Sequence, residues 1–547
     1  MSAAILRMRI LLASSEVYPY SKTGGLADMV GSLAKTLARA GHRVGVVTPL
    51  YAGIRERFPE LKKLDIPLEL PLGARRIRGE IWSLTPPVNV GQGVSPAPPK
   101  VIPAEKGAGE TPCPTLPFAT GEGSAAGAPG SHQSKCLSAE PIPGLTVYFV
   151  DQPEFYQRAD LYQEEGVDYP DNAERFIFFS KAAAHLALHL GWQPEVLHLH
   201  DWQTSLAALL IQHQRKMTGQ GTTPGICLTI HNLAYQGLFP AAQYALTNLP
   251  RDYFTPAGVE FYGKMGCLKA GIVYADVITT VSPRYAREIT TEELGCGLDG
   301  LLRQRNSSLV GILNGVDYEE WNTTNNPYLK HSYSRADLSG KAANKLELQK
   351  EFGLPADASL PLFGGIGRLT EQKGVEIMLS ALEEMLGTKM QFVAVGSGSP
   401  AFQRAYQDLA RRYPSQVAVR IAFDEGLSHR IEAGCDFFLM PSRFEPCGLN
   451  QMYGLRYGTI PIVRTTGGLD DTVIDVREDP AKANGIKFTE YSAPALAKGI
   501  RKALALFEEP EALKHFRQNA MAADFSWDRT VAQYLQAYQR ARPGTLK

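Results

Sequence analysis

Twice along the 547 residues, short apolar runs alternate with stretches of helical spacing, and each run ends in a loop carrying glycine or charge. Residues 8–14 are apolar and Ser21 to Gly25 form a loop. Leu26, Met29, Val30, Leu33 and Leu37 then keep a helical period up to Gly41, which reads as a C-terminal cap. Val44 to Val47 restarts a strand. A strand–helix–strand unit predicts a parallel sheet with a right-handed crossover. The order continues with a strand at 145–150, a helix near 172–190, a strand at 196–199, a helix at 203–215, a strand at 226–230, a helix at 264–273 and a strand at 277–281. A second series opens at 362–367. It has strands near 391–395, 417–421, 436–440 and 460–463, and helices near 374–386, 400–412, 427–433 and 449–457. The expectation is an α/β fold of two Rossmann-like domains with a junction near 315–340. Ligands in such sheets bind beyond the carboxyl ends of the strands, so the site belongs in the cleft between the domains.

The length is itself too great for one core. Lys+Arg and Asp+Glu both number 56, so the net charge is zero. That argues against broad nucleic-acid or anionic-membrane binding. The seven cysteines are scattered without CxxC spacing, which fits a reduced cytoplasmic protein without a structural zinc. No uncharged apolar run approaches the roughly 18 residues of a membrane span, and the N-terminal Ile10 to Ala13 run reads as a first strand rather than a signal peptide. Residues 86–143 break the pattern. Pro and Gly fill 20 of their 58 positions without a hydrophobic period, a composition expected of a disordered, functionally neutral insertion.

The chemistry-bearing segments sit where strands end. Phe437 to Met440 lead into Pro441-Ser442-Arg443-Phe444-Glu445-Pro446-Cys447-Gly448-Leu449, which places the Glu445 carboxylate in a strand-to-helix loop. Gly367 to Gly374 holds two cations, Arg368 and Lys373, in one such loop. Arg offers a forked donor set and Lys a point charge, a pairing suited to a diphosphate. Thr466, Gly467 and Gly468 end the strand at 460–463 and offer backbone N–H groups at a helix start. In the first half, Lys22-Thr23-Gly24-Gly25 lets a backbone approach a phosphate or a sugar hydroxyl beside a cation. His198 and His200 alternate onto one face; His200, nearer the strand end, suits a sugar hydroxyl, and His198 a structural role. His231 and Asn232 end the next strand at the same edge. No third ligand stands at metal spacing from these histidines, so no metal site is expected.

Read together, Lys22 to Asp28, His200-Asp201-Trp202, Thr229 to Asn232, Leu268 to Gly271, Val281-Ser282-Pro283, Leu313 to Asp317, Gly367 to Gly374 and Pro441 to Tyr457 resemble the bacterial glycogen synthases and starch synthases. They run in family order across nearly the whole chain outside 86–143. The resemblance implies the GT-B fold of retaining glycosyltransferases: an N-terminal domain over 1–320, a nucleotide-sugar domain over 321–525, and a helix over 526–547 that returns to the first domain. It implies glucosyl transfer from a nucleoside-diphosphate glucose to the non-reducing end of an α-1,4-glucan such as glycogen. ADP-glucose is the usual donor of bacterial relatives, with no further cofactor. By the same resemblance, Arg368 and Lys373 neutralise the diphosphate, Glu445 is the cleft carboxylate, and Cys447, Gly448 and Leu449 contact the glucose. His200 binds a glucose hydroxyl and steadies the anomeric carbon through its carbonyl. Asp171 lies near the donor sugar, Phe423 lies against the nucleobase, and Lys22 reaches the phosphates from the other domain.

Two positions depart from the family. Many related transferases carry a second carboxylate eight residues after the first, where this chain has Tyr453. Relatives often carry Asn or Ser where this chain has Gly266, so a contact to the sugar or to Asp171 is expected to be missing. UDP-glucose as donor, and a binding protein without catalysis, stay open as alternatives. A dinucleotide-dependent oxidoreductase is disfavoured because the first βα loop lacks GxGxxG.

Overall fold

The computed structural model describes residues 7–86, 142–164, 166–218 and 223–542. Nearly all of the segment expected to be a disordered insertion, 87–141 of 86–143, lies outside the described residues. Its two ends meet, with the Ile142 N–H donating to the Pro86 carbonyl at 2.9 Å.

The first domain is built on one sheet. Its strands are β1 (Arg9–Ala13), β2 (Arg43–Pro49), β3 (Lys62–Leu72), β4 (Arg75–Leu84), β5 (Leu145–Asp151), β6 (Val196–His200), β7 (Gly225–Ile230), β8 (Val277–Thr280) and β9 (Leu309–Gly311). They run in the order β9-β8-β7-β6-β1-β2-β5-β4-β3. From β9 to β5 every pairing is parallel, as the strand–helix alternation predicts. The edge departs from that expectation, because β3 and β4 form an antiparallel hairpin against β5. Burial alternates along the second half of β3, so one face meets water. A sheet edge of that kind is antiparallel rather than flanked by helices.

The second domain holds β10 (Leu362–Ile366), β11 (Gln391–Gly396), β12 (Val417–Ile421), β13 (Phe437–Met440), β14 (Ile460–Arg464) and β15 (Ile486–Phe488). Their order is β12-β11-β10-β13-β14-β15, parallel throughout. Both faces are covered by helices, which is why these strands read as continuous apolar runs.

The helices that frame the cleft are α1 (Gly25–Arg39), α2 (Asn172–His189), α3 (Trp202–Thr218), α4 (Cys267–Tyr274), α5 (Pro283–Glu288), α6 (Val375–Met385), α7 (Glu425–Gly434), α8 (Asn450–Arg456) and α9 (Gly467–Thr472). The helix expected from 264 begins only at Cys267. Lys264–Gly266 instead pairs with Leu238–Pro240 and Glu260–Phe261 in a small antiparallel sheet, turned by Gly263 at φ +76°.

The last helix, α10 (Trp527–Ala541), packs on the first domain. Tyr534 and Tyr538 on it are fully buried. The Tyr538 hydroxyl meets His198 Nδ1 at 2.9 Å, and Thr229 Oγ1 takes the other ring nitrogen at 2.6 Å. His198 is therefore a satisfied core histidine. The two passages between domains touch, with the Val316 N–H donating to the Phe525 carbonyl at 2.7 Å.

Candidate active site

The loops after β1, β7, β10, β12 and β13 converge on a cavity of about 330 Å³ between the two domains. From the second domain it is walled by Arg368, Lys373, Phe423, Glu445 and the Cys447-Gly448-Leu449 turn. From the first come Lys22, Gly24, Gly25, His231 and Asn232. A run of residues that are distant in sequence thus meets because parallel strands end their loops at one sheet edge.

On the second-domain wall, Glu445 is nearly buried. Its Oε2 accepts from Lys373 Nζ at 2.5 Å and from Ser442 Oγ at 2.9 Å. Both contacts fall on one oxygen, which leaves Oε1 for a ligand. Arg368, five residues before Lys373, is exposed and makes no side-chain ion pair among the described residues. Phe423 keeps 51 % of its surface exposed although it lines the cavity, an open apolar face at the end of β12. Gly448 turns at φ +69°, a backbone state that favours glycine. Burial pushes the Cys447 thiol up to about 12, so Cys447 meets a ligand as a neutral group.

On the first-domain wall, the Lys22 loop is shaped from behind by Glu16. Thr23 gives both its N–H and its hydroxyl to the Glu16 carboxylate, and Tyr162 adds a third donor at 2.8 Å. Lys22 Nζ pairs with Asp28 at 2.9 Å and lies 3.6 Å from Glu425 of the second domain. Burial pulls the ammonium down, and the two carboxylates more than offset it, so Lys22 stays charged. The 231–232 loop hangs on Asp201, which sits at φ +55° and accepts the His231 N–H at 2.7 Å. Burial lifts that carboxyl to about 7.

Five residues expected at the ligand lie off the cavity wall. His200 is fully buried behind His231, its Nδ1 3.0 Å from His231 Nε2, and Thr204 Oγ1 donates to its carbonyl at 2.9 Å. Burial holds His200 well below the usual imidazole range and His231 at about 3, so both are neutral. Asp171 precedes α2 and its carboxylate is clamped by Arg158 through two bonds. Thr466 and Gly467 are engaged by Glu288 of the first domain, whose carboxylate accepts the Gly467 N–H at 3.1 Å. The Gly468 N–H donates to the carbonyls of Glu445 and Pro446 at 3.1 Å. His200 and Gly468 thus back the wall residues His231 and Glu445, while Thr466 and Gly467 bridge the two domains. Gly266 is also buried away from the cavity, and a Cβ there would meet Lys269 at 3.2 Å.

Tyr453, at the family's second-carboxylate position, stacks on Trp321 with ring centroids 3.6 Å apart and planes 4° from parallel. Trp321 also stacks on His429 at 3.9 Å. Asn314, Trp321, Asp28 and Glu425 line the cavity without having been singled out as ligand contacts. Asn314 and Asp28 stand inside quoted motifs; Trp321 and Glu425 carry no local signal. Glu320, Glu425 and His429 bring one ligand atom each within 4.8 Å of the others, a donor set that would suit a cation. The Lys22 ammonium already stands beside it.

Residues 9–90 and 119–304 match the model of the starch synthase catalytic domain family, and residues 348–522 match that of glycosyl transferases group 1. A glycogen synthase from Anaeromyxobacter dehalogenans (strain 2CP-C) is 42% identical over 537 residues, covering 98% of this chain and 100% of the relative. A protein named glycogen synthase 2, from Nitrosococcus oceani, is 40% identical and covers 97% of each chain. The catalytic domain of starch synthase IV from Arabidopsis thaliana, solved with ADP and acarbose, superposes with a TM-score of 0.80 at 31% identity, over 98% of this chain and 99% of that one. A sucrose-phosphate synthase from Thermosynechococcus elongatus, at 17% identity, covering 98% of this chain and 99% of that one with a TM-score of 0.55, shares the fold.

Proposed function

Because the chain belongs to the glycogen synthase and starch synthase family of glycosyltransferases, we propose that it moves glucose from ADP-glucose to the non-reducing end of an α-1,4-glucan with retention of configuration. The observation that carries this reading is the convergence of Lys22, Arg368, Lys373 and Glu445 on one cleft between two GT-B domains. ADP as the donor nucleotide is supported by the ADP-bound starch synthase that this fold matches. Phe423 offers its open face to the base.

The charge logic follows from the geometry. The leaving diphosphate gains negative charge as the glycosidic bond breaks. Fixed cations in a water-poor cleft stabilise that charge far better than water does. Arg368 and Lys373 supply it from one side and Lys22 from the other; the neutral His200 and His231 add none. Glu445 faces the sugar with Oε1 while Lys373 holds Oε2. One carboxylate thereby steadies the electron-poor anomeric carbon and one lysine links it to the diphosphate. Tyr453 gives no second carboxylate, so Glu445 acts alone. In this reading no metal ion or other cofactor takes part, and EDTA leaves the rate unchanged.

No helix among the described residues is long and apolar enough to cross a membrane. Cys227, Cys267, Cys296, Cys435 and Cys447 are all unpaired. Both support a protein acting in the cytoplasm.

The test is ADP release from ADP-glucose with a glycogen primer, run beside UDP-glucose, with the product's anomeric linkage read by proton NMR. Primer-dependent ADP release with new α-linkages is expected. Folded protein that releases no ADP overturns the reading, and faster turnover of UDP-glucose moves the donor assignment.

A further inference from the structure

We propose that Glu425 is a positioning residue for Lys22, holding the ammonium over the donor diphosphate only when the two domains are closed. The inference rests on the donor reading above.

Lys22 sits in the loop between β1 and α1 of the first domain, and Glu425 opens α7 of the second. Two carboxylates reach the Lys22 ammonium. Asp28 at 2.9 Å belongs to the same domain and travels with it. Glu425 at 3.6 Å is the contact across the cleft. Glu425 keeps only 9% of its side chain exposed, and its Oε1 has no hydrogen-bond partner. A buried carboxylate oxygen left without a donor is costly, and Lys22 is the cation that offsets it. Glu320 from the first domain lies within 4.8 Å of the Glu425 and His429 ligand atoms, and Tyr18 donates to its Oε1 at 3.1 Å. Asp28 and Glu425 thus flank one ammonium, with Glu320 beside Glu425.

The arrangement needs explaining, because Glu425 lines the same cavity as Arg368 and Lys373. A bare carboxylate beside a diphosphate site repels the ligand. With Lys22 between them the repulsion is screened, and the carboxylate fixes a long side chain that would otherwise lose rotamer freedom on binding. Opening the cleft separates Lys22 from Glu425 and leaves Lys22 with the first-domain carboxyl groups of Asp28 and Glu320. Glu425 therefore couples domain closure to the placement of a phosphate-binding cation.

The experiment is a double-mutant cycle on the full chain: wild type, Lys22→Ala, Glu425→Gln and the double variant. The readouts are the ADP dissociation constant by calorimetry, the KM and kcat for ADP-glucose, and the melting temperature. Glu425→Gln is expected to weaken ADP binding and raise KM about tenfold, with kcat within about threefold of wild type. In the double variant Glu425→Gln is expected to add nothing to Lys22→Ala. Glu425→Asp, which keeps the charge, is expected to recover most of the loss and serves as the cycle partner should the glutamine variant not fold. ADP affinity within twofold of wild type in Glu425→Gln, or additive effects in the cycle, overturns the proposal. Wild type that binds ADP without transferring glucose would sink the donor reading alone, since the ADP isotherms still measure the coupling.

Discussion

Two strand-to-helix loops of the second domain are alike in sequence and opposite in use. Glu445 to Leu449 follows β13 and lines the cavity with a carboxylate, a thiol and a glycine turn. Thr465 to Gly468 follows β14, with two threonines and two glycines that read as a backbone cradle for an anion. That cradle already holds an anion, the Glu288 carboxylate of the first domain, bonded to the Gly467 N–H at 3.1 Å. Arg284 completes the contact, pairing with Glu288 at 3.0 Å and with Asp470 at 3.4 Å. The first loop lines the cleft cavity; the second clasps the domains together. Backbone N–H groups attract any carboxylate or phosphate, so tertiary position alone decides which one arrives.

The sharpest way to break this contrast is Glu445→Ala. Removing an electrostatic stabiliser at a reacting centre is expected to lower kcat about 100- to 1000-fold, with the ADP dissociation constant within about threefold by calorimetry. Near-normal turnover would remove Glu445 from its role. Gly468→Ala should instead act on stability, because a Cβ there meets the Cys447 carbonyl at 2.1 Å and its α-carbon at 2.5 Å. A loss of about 1–3 kcal/mol is expected in denaturant melts, and an unchanged midpoint would mean that the two loops are not packed backbone to backbone. Glu288→Ala should loosen the clasp without touching the cavity. The expected cost is about 1 kcal/mol, read as a few-fold rise in donor KM and a larger radius of gyration in X-ray scattering; a hundredfold loss of kcat would place Glu288 in the chemistry instead. The smallest effect is expected of Gly24→Ala on folding. Nothing lies within 4 Å of a Cβ there, so the melting temperature should hold, and any rise in donor KM reports a ligand approaching that backbone.

The strand-to-helix order was readable because each buried strand must be apolar and each helix must show its 3.6-residue period. Nearly every expected strand and helix lies within a few residues of its observed span. The antiparallel β3–β4 hairpin was not readable in that way, since its alternating pattern carries no helix to mark a crossover. Lys264 to Gly266 misled because a helical period continues through them, while the turn at Gly263 and pairing with Leu238 to Pro240 hold them as a strand. In the site, Lys22, Arg368, Lys373 and Glu445 were legible from cations and a carboxylate in loops at strand ends. His200 was legible as a conspicuous polar residue but lies one layer behind the wall, covered by His231. Glu425 and Trp321 gave no sign, because one more glutamate on a helix and one more tryptophan after a loop look like surface and core.

The sequence by itself determined the two α/β domains, the family and the cations and carboxylate that line the cleft, because periodicity and loop chemistry are local properties. Only the tertiary structure decided which loops face the cleft. It paired Lys373 with Glu445 and Lys22 with Glu425, turned Thr466 and Gly467 into an inter-domain brace, and stacked Tyr453 on Trp321. Those pairings join residues from 72 to more than 400 positions apart along the chain. They arise from how two sheets are set against each other, which no local pattern encodes.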